Sequence, residues 1–234
     1  MKSKYYRPVL IIFMVFKIFV SIDAQNKTRI HYQMPLADFC SGLDLMHGFQ
    51  IEGYFIGWSA ANNIAYITGL KKPGSEGIFY KLTVQEIVED SIAYDSGFKG
   101  PYRGIEALKS YWDANREQIE NILNLSRILP YSGSLEYDIS SGRHPLGIEI
   151  IKLNDPANPG KINAFQIIAR PGKYKNRVKI IHRESDIDYT DIIHAGIIKN
   201  PYEPRLAVFF LKAGDNIHPL AVAGCHQIYG FKKM

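Results

Sequence analysis

The stretch "GYFIGWSAANNIAYITG" (residues 53–69) places two short apolar and aromatic runs on either side of a polar turn at Ser59–Asn63. Alternation with a period of two is the signature of a strand with one face against a core, and a short polar break between two such runs reads as a hairpin. The pattern continues outward. "FQIEGYFIG" (49–57), "NIAYIT" (63–68) and "GIFYKLTVQEIV" (77–88) are β-branched and aromatic runs separated by Asn, Gly and Pro clusters, so the first half reads as an antiparallel meander.

The period then changes. In "GIEALKSYWDANREQIENILNLSRI" (104–128), Ile105, Leu108, Trp112, Ile119, Ile122 and Leu123 recur at helical spacing with charged residues between them. This predicts one amphipathic helix with Trp112 in its buried stripe. After Pro130 the strand signals return at 134–140, 146–153, 161–170, 176–183, 194–199, 205–212 and 218–224, with turn chemistry in "NDPANPG" (154–160) and "RPGKYKN" (170–176). The expected fold is therefore α+β and β-rich, with antiparallel meanders and hairpins around one main helix at about 104–128.

The opening hairpin has one echo, "GIIKNPYEPRLAVFF" (196–210). Gly53 aligns with Gly196, Tyr54 and Phe55 with Ile197 and Ile198, and Ala65 with Ala207, the second copy being one residue shorter in its turn. Two related blade-like units sharing a core is the structural expectation, because a lone hairpin cannot bury both faces. "FIGWSAANNIAYI" resembles the Trp-Ser-x-Asp-Gly-x-x-Ala-Tyr hairpin of propeller-type repeats. It departs from that pattern by carrying Ala61 and Asn62 where Asp-Gly makes the turn; Asn62 tolerates the left-handed conformation, but the Asp side-chain cap is missing. Together with "YKLTVQEIVEDSIAYD" (80–95), the helix around Trp112, "IIKNPYEPRLAVFF" (197–210) and "AGCHQIYGF" (223–231), it resembles exported proteins of unknown function from spirochaetes and related bacteria. That resemblance implies an exported bacterial protein and carries no site residues with it.

Residues 1–24 read as a signal peptide. Lys2, Lys4 and Arg7 precede the apolar run "VLIIFMVFKIFVSI" (9–22), and a small Ala24 stands before Gln25. The run is broken by Lys17 and falls short of the roughly 20 apolar residues of a membrane span, which sets a retained anchor as the alternative to cleavage. No later segment is apolar enough to cross a bilayer. The expectation is a single domain at 25–234 that is periplasmic or secreted, with no transmembrane helix once the signal is removed. The whole chain has a net charge of +5, but four basic residues and one acid lie in 1–24, so the remainder carries 24 Lys and Arg against 22 Asp and Glu, a net +2. A balance that close to neutral argues against nucleic acid as a partner.

The two cysteines, Cys40 and Cys225, stand near opposite ends of the mature chain, and an oxidising compartment allows them to pair. A bridge closing so long a loop is worth about 5 kcal/mol on the chain-entropy model. The alternative is two buried thiols.

The chemistry-bearing residues form no established catalytic pattern. "RESDIDYTDIIH" (183–194) gathers Glu184, Asp186, Asp188 and Asp191 between His182 and His194, an oxygen-rich set of the kind that holds calcium. It lacks the glycine and spaced glutamate of an EF-hand loop, and Asp186, Asp188 and Asp191 stand as metal candidates against a charge-paired strand whose nearest cations are Arg177, Lys179 and Arg183. The basic run at 170–183 suits phosphates or anionic lipid headgroups, or is a hairpin edge guarded by lysines. There is no Gly-x-Ser-x-Gly elbow, His-Glu-x-x-His, Cys-x-x-Cys or Gly-rich phosphate loop, and the adjacent Cys225 and His226 alone are weak grounds for a reactive pair. Of two glycosylation sequons, at Asn26 and Asn124, the second falls in the predicted helix.

The reading that follows is an exported, non-enzymatic protein of the bacterial envelope that binds or supports. It has no cofactor, no assigned catalytic residue and an unidentified envelope or extracellular partner. Trp58, Tyr66 and Tyr202, with Phe209, are the candidate binding aromatics, each with core packing as the competing role. The alternative is a secreted hydrolase whose carboxylates or histidines are assembled by folding.

Overall fold

The computed structural model describes residues 29–35, 43–45, 49–131, 133, 135–136, 145–172, 176–214 and 220–233, with only the backbone at 43–45 and 188. The expected signal peptide (1–24), Cys40 and most of the strand expected at 134–140 lie outside the described residues. The chain separates into two units, Met1–His31 and Tyr32–Met234. Of the first, only Arg29, Ile30 and His31 are described. All elements below belong to the second.

The fold is α+β and β-rich, as the alternation indicated. Strands β1 (Leu43–Leu45), β2 (Phe49–Trp58), β3 (Asn63–Lys71), β4 (Ile78–Glu86) and β5 (Ser91–Asp95) form an antiparallel meander in chain order. Strand β6 (Lys99–Tyr102) continues the β4 edge and β7 (Leu129–Pro130) pairs with the end of β2. The second sheet is also a meander, running β8 (Leu146–Asn154), β9 (Ile162–Pro171), β10 (Arg177–Lys199), β11 (Arg205–Gly214) and β12 (Leu220–His226), with β13 (Lys232–Lys233) against the start of β10.

Strand β10 corrects the expectation of two strands at 176–183 and 194–199. It is continuous over 23 residues, its first part paired with β9 and its second with β11. Irregularities between Ile180 and His182, Ser185 and Tyr189, and His194 and Gly196 re-aim its side chains and bend the sheet. The curl buries Phe165, Ile167, Ile197, Val208 and Phe210 in one core. The outer face of β11 packs Phe209 and Leu211 against Phe55, Trp58, Ile64 and Tyr66 of the first sheet in a second core. Edge-to-face rings hold that junction, with centroids 6.0 Å apart for Phe55 and Phe209 and 5.8 Å for Tyr66 and Phe209. Because β11 is buried on both faces, "LAVFFL" reads as an unbroken apolar run instead of an alternation.

The other face of the first sheet carries the helix α1 (Ala107–Leu125), whose Tyr111 lies 5.3 Å from Tyr80 and 5.6 Å from Tyr102. Lys99 donates to Asn115 Oδ1 at 2.7 Å and Gln118 Oε1 at 2.8 Å, fixing the helix to β6. Trp112, Ile119 and Leu123 are buried as the helical spacing predicted, but Ile105 is fully exposed because the helix begins two residues after it. Its C-terminus is a Schellman turn: Ile128 N–H donates to Leu123 O, Arg127 N–H donates to Asn124 O, and Arg127 takes the left-handed φ of 54° that usually selects glycine.

The opening hairpin closes as its sequence required, with a substitute for the missing cap. Asn62 is left-handed at φ 64°, Asn62 N–H donates to Ser59 O at 3.1 Å, and Ser59 N–H donates to Asn63 O at 2.8 Å. The hydroxyl of Ser59 accepts from the N–H groups of Ala61 and Asn63, doing what Asp does in the propeller-type turn. The second hairpin differs. Asn200 N–H reaches Arg205 O across a four-residue loop, so its turn is longer by one residue, not shorter. Ala65 and Ala207 do occupy equivalent rungs, opposite Gly57 and Ile198, but Gly53 pairs with Thr68 while Gly196 pairs with Phe209 beside a bulge. The glycines therefore do not correspond. Each sheet contributes one of these hairpins, and their turns touch where Asn200 Nδ2 donates to Asn62 Oδ1 at 3.1 Å.

Candidate functional site

The best-assembled group of titratable side chains lies where the turn after β4 meets the curl of the second sheet. The irregularity after Ile180 turns His182 inward, and its ring rests 5.6 Å from Phe165 and 5.1 Å from Phe210. His182 Nε2 is 2.9 Å from Glu184 Oε1, while Nδ1 faces Asp90 Oδ2 at 3.9 Å. Glu184 Oε1 also accepts a short hydrogen bond from Lys212 Nζ, and that ammonium lies over the rings of Tyr189 and Phe210. Burial alone would raise the Glu184 carboxyl, but the hydrogen bonds and charges of Lys212 and His182 outweigh it and hold the group below its ordinary value.

The network continues inward. Asp90, at a left-handed φ of 53°, accepts from Gln85 Nε2 at 2.7 Å, and the same amide donates to Val222 O of the second sheet at 3.0 Å. Gln85 Oε1 accepts from the Tyr66 hydroxyl at 3.2 Å, and burial pushes the pKa of that phenol far up. A polar chain thus runs from the core between the sheets, through Tyr66, Gln85, Asp90, His182 and Glu184, to Lys212. It fastens the first sheet to the second.

The acidic stretch is partnered, but not by the cations nearest in sequence. Glu184 takes Lys212 and Asp191 takes Lys152, whose Nζ is 2.5 Å away, because irregularities in β10 direct these carboxylates toward neighbouring strands. Asp186 turns aside at φ 57° and accepts from Ser185 Oγ; the side chain of Asp188 lies outside the described residues. Among the described residues no group of three or more His, Cys, Asp or Glu is placed to hold a metal.

The candidate aromatics divide. Trp58, Tyr66 and Phe209 are core residues, whereas Tyr202 is 47% exposed on the loop between β10 and β11. Cys225 is buried in the curl, and burial raises its thiol to about 11 against the nearby charges of Lys179 and Arg205; Cys40, its proposed partner, lies outside the described residues. No known protein family, characterised protein or solved structure matches this chain. Among the described residues no helix is long and apolar enough to cross a membrane.

Gln85, Asp90 and Lys212 were not singled out by their sequence context. The available signal was a buried-strand pattern carrying Thr83 and Gln85 at inward positions, where a polar residue needs a partner.

Proposed function

We propose that this chain is an exported, non-enzymatic protein of the bacterial envelope that works by binding or structural support. The observation that carries the proposal is the disposition of His182. Both of its ring nitrogens face carboxylates, and the nearer of these is itself neutralised by Lys212. Glu184 occupies Nε2, and the facing Asp90 comes from the turn after the first sheet's β4, so the cluster acts as a clasp between the sheets. Export rests on the sequence of residues 1–24, and the exposed loop aromatic Tyr202 is an available contact residue.

The test is fractionation of native cells followed by intact mass. Recovery outside the cytoplasm with an N-terminus near Gln25 supports the proposal, and a full-length cytoplasmic protein overturns it. The hydrolase reading keeps one supporting observation, the carboxylate-held His182. It is tested on a panel of ester, peptide and glycoside substrates: turnover abolished by His182→Gln in a protein of unchanged circular dichroism would establish it and displace the non-enzymatic reading.

A further inference from the structure

Strand β8 ends the second sheet. It pairs with β9 from Leu146 to Asn154, and among the described residues no strand pairs with its other edge. Alternate residues of such a strand point their N–H and C=O groups away from the sheet, which makes a template for another strand. The other terminal strands are shorter or occupied: β1 has three residues, β5 has five, and at β12 the Val222 carbonyl accepts from Gln85. Strand β8 has nine.

Open edges are ordinarily guarded by proline, by a bulge or by charges that project into solvent. Strand β8 contains no proline, and its one irregularity lies at its last step, between Leu153 and Asn154. Both of its charged side chains turn back onto their own sheet. Glu149 accepts from Arg170 Nε at 2.8 Å, and Lys152 Nζ reaches Asp191 of β10 at 2.5 Å. Leu146, Ile148 and Ile150 pack on the core, so alternation places Glu149, Ile151 and Leu153 together on the outer face. There Ile151 is 36% exposed and Leu153 51%.

Symmetry narrows how this edge could meet a second copy of itself. A two-fold axis normal to the sheet keeps the outer faces of both copies on one side, so each residue must oppose one of its own face. Centring the axis on Glu149 or on Lys152 opposes like charges. Centring it on Ile150 sets Ile151 and Leu153 against Glu149 and Gly147 of the second copy. Centring it on Ile151 sets Ile151 opposite its equivalent with Leu153 diagonal to it, Glu149 opposite Leu153, and Lys152 opposite Ile150. No like charges meet in that register, and the exposed apolar side chains of both copies form one cluster.

We propose that the protein forms a two-fold dimer by antiparallel pairing of β8 with β8 of a second copy, in register at Ile151. This goes beyond the envelope reading and stands independently of it. The second sheets of the two copies become one continuous sheet.

The test is sedimentation equilibrium of the full chain over a dilution series, with circular dichroism to confirm folding. Wild type should be a reversible dimer. Ile151→Lys and Ile151→Glu each set like charges opposite one another at the axis and should each raise the dimer dissociation constant about tenfold or more. Mixed in equal amounts, the two variants oppose lysine to glutamate, and the mixture should return to within about threefold of wild type. Ile92→Lys, on the exposed edge strand of the first sheet, should leave the constant within about twofold. Hydrogen exchange needs no variant: β8 amides should lose protection on dilution while those of β5 do not change. A monomeric wild type overturns the proposal and leaves the edge to a different strand. So does a dimer that survives both Ile151 substitutions, as one held by residues 9–22 would, or one broken by Ile92→Lys. Protection of β8 that is independent of concentration also overturns it, because the edge is then covered within the chain.

Discussion

Replacing Gly224 with alanine tests how closely the two sheets approach. A Cβ at Gly224 would fall 2.0 Å from Ile87 O, 2.9 Å from Ile87 C and 3.2 Å from Ile87 Cβ. Carbon and oxygen normally approach to about 3.3 Å, so the turn after β4 must move by more than about 1 Å. The obstacle is backbone and cannot rotate away. The end of β4 that leads into this turn is joined to β12 by Gln85 Nε2 donating to Val222 O at 3.0 Å, and the displacement would carry the bond past useful length. Overpacking costs about 1–3 kcal/mol and an orphaned buried amide about 1–3 kcal/mol, so Gly224→Ala should destabilise by roughly 2–6 kcal/mol. Urea unfolding followed by fluorescence of the buried Trp58 and Trp112 measures this. Gly160→Ala is the matched control, because its Cβ would meet nothing nearer than Asn158 Oδ1 at 3.6 Å. If the two variants unfold within about 0.5 kcal/mol of each other, the backbone contact between the sheets is refuted.

Four other outcomes follow from the same geometry. Arg127→Gly removes a side chain from a left-handed helix terminus and should stabilise by about 0.5–1 kcal/mol, raising the calorimetric midpoint by roughly 1–4 °C. Gln85→Leu leaves the Tyr66 hydroxyl and Val222 carbonyl without this partner and should cost about 1–3 kcal/mol in urea. Glu184 has a lowered folded pKa, so its contribution is present above the unfolded value of about 4.3 and is lost as pH falls through the folded one. The urea midpoint of wild type should therefore fall more steeply than that of Glu184→Gln in that acid range, and parallel curves would remove the clasp. Intact mass before and after reduction tests the Cys40–Cys225 pair: a gain of two hydrogens carries the bridge, and no gain removes it.

The meander was legible because β-branched and aromatic runs are bounded by polar turns, as at Phe49–Trp58 and Asn63–Lys71, although the second of these strands is buried on both faces. Legibility failed where local pattern and tertiary demand diverge. Ile105 fits the helical stripe but precedes the first helical residue, and Glu120, on the buried side, breaks the apolar pattern. The acidic stretch within β10 lacks alternation because irregularities exchange its faces. Its partners could not be assigned from sequence proximity: Lys212 lies 28 residues from Glu184, and Lys152 lies 39 from Asp191. Asn62 was readable as the left-handed turn residue, yet the role of Ser59 emerged only from hydroxyl geometry.

Strand β11 has a further consequence. In most strands a slip by one residue is forbidden by hydrophobicity, because it turns the apolar set toward water. Here the slip would exchange Leu206, Val208 and Phe210 for Ala207, Phe209 and Leu211, sending greasy side chains into both compartments either way. Oil-and-water patterning is thus nearly blind to the register of this strand, buried as it is on both faces. The correct alignment must be encoded by size and by punctuation: small alanines on one side, Arg205 and Lys212 near the ends, and the bulge facing Phe209. Substitutions at those modest positions would degrade the uniqueness of the fold before its greasiness, producing misaligned, association-prone chains with a normal complement of buried aromatics.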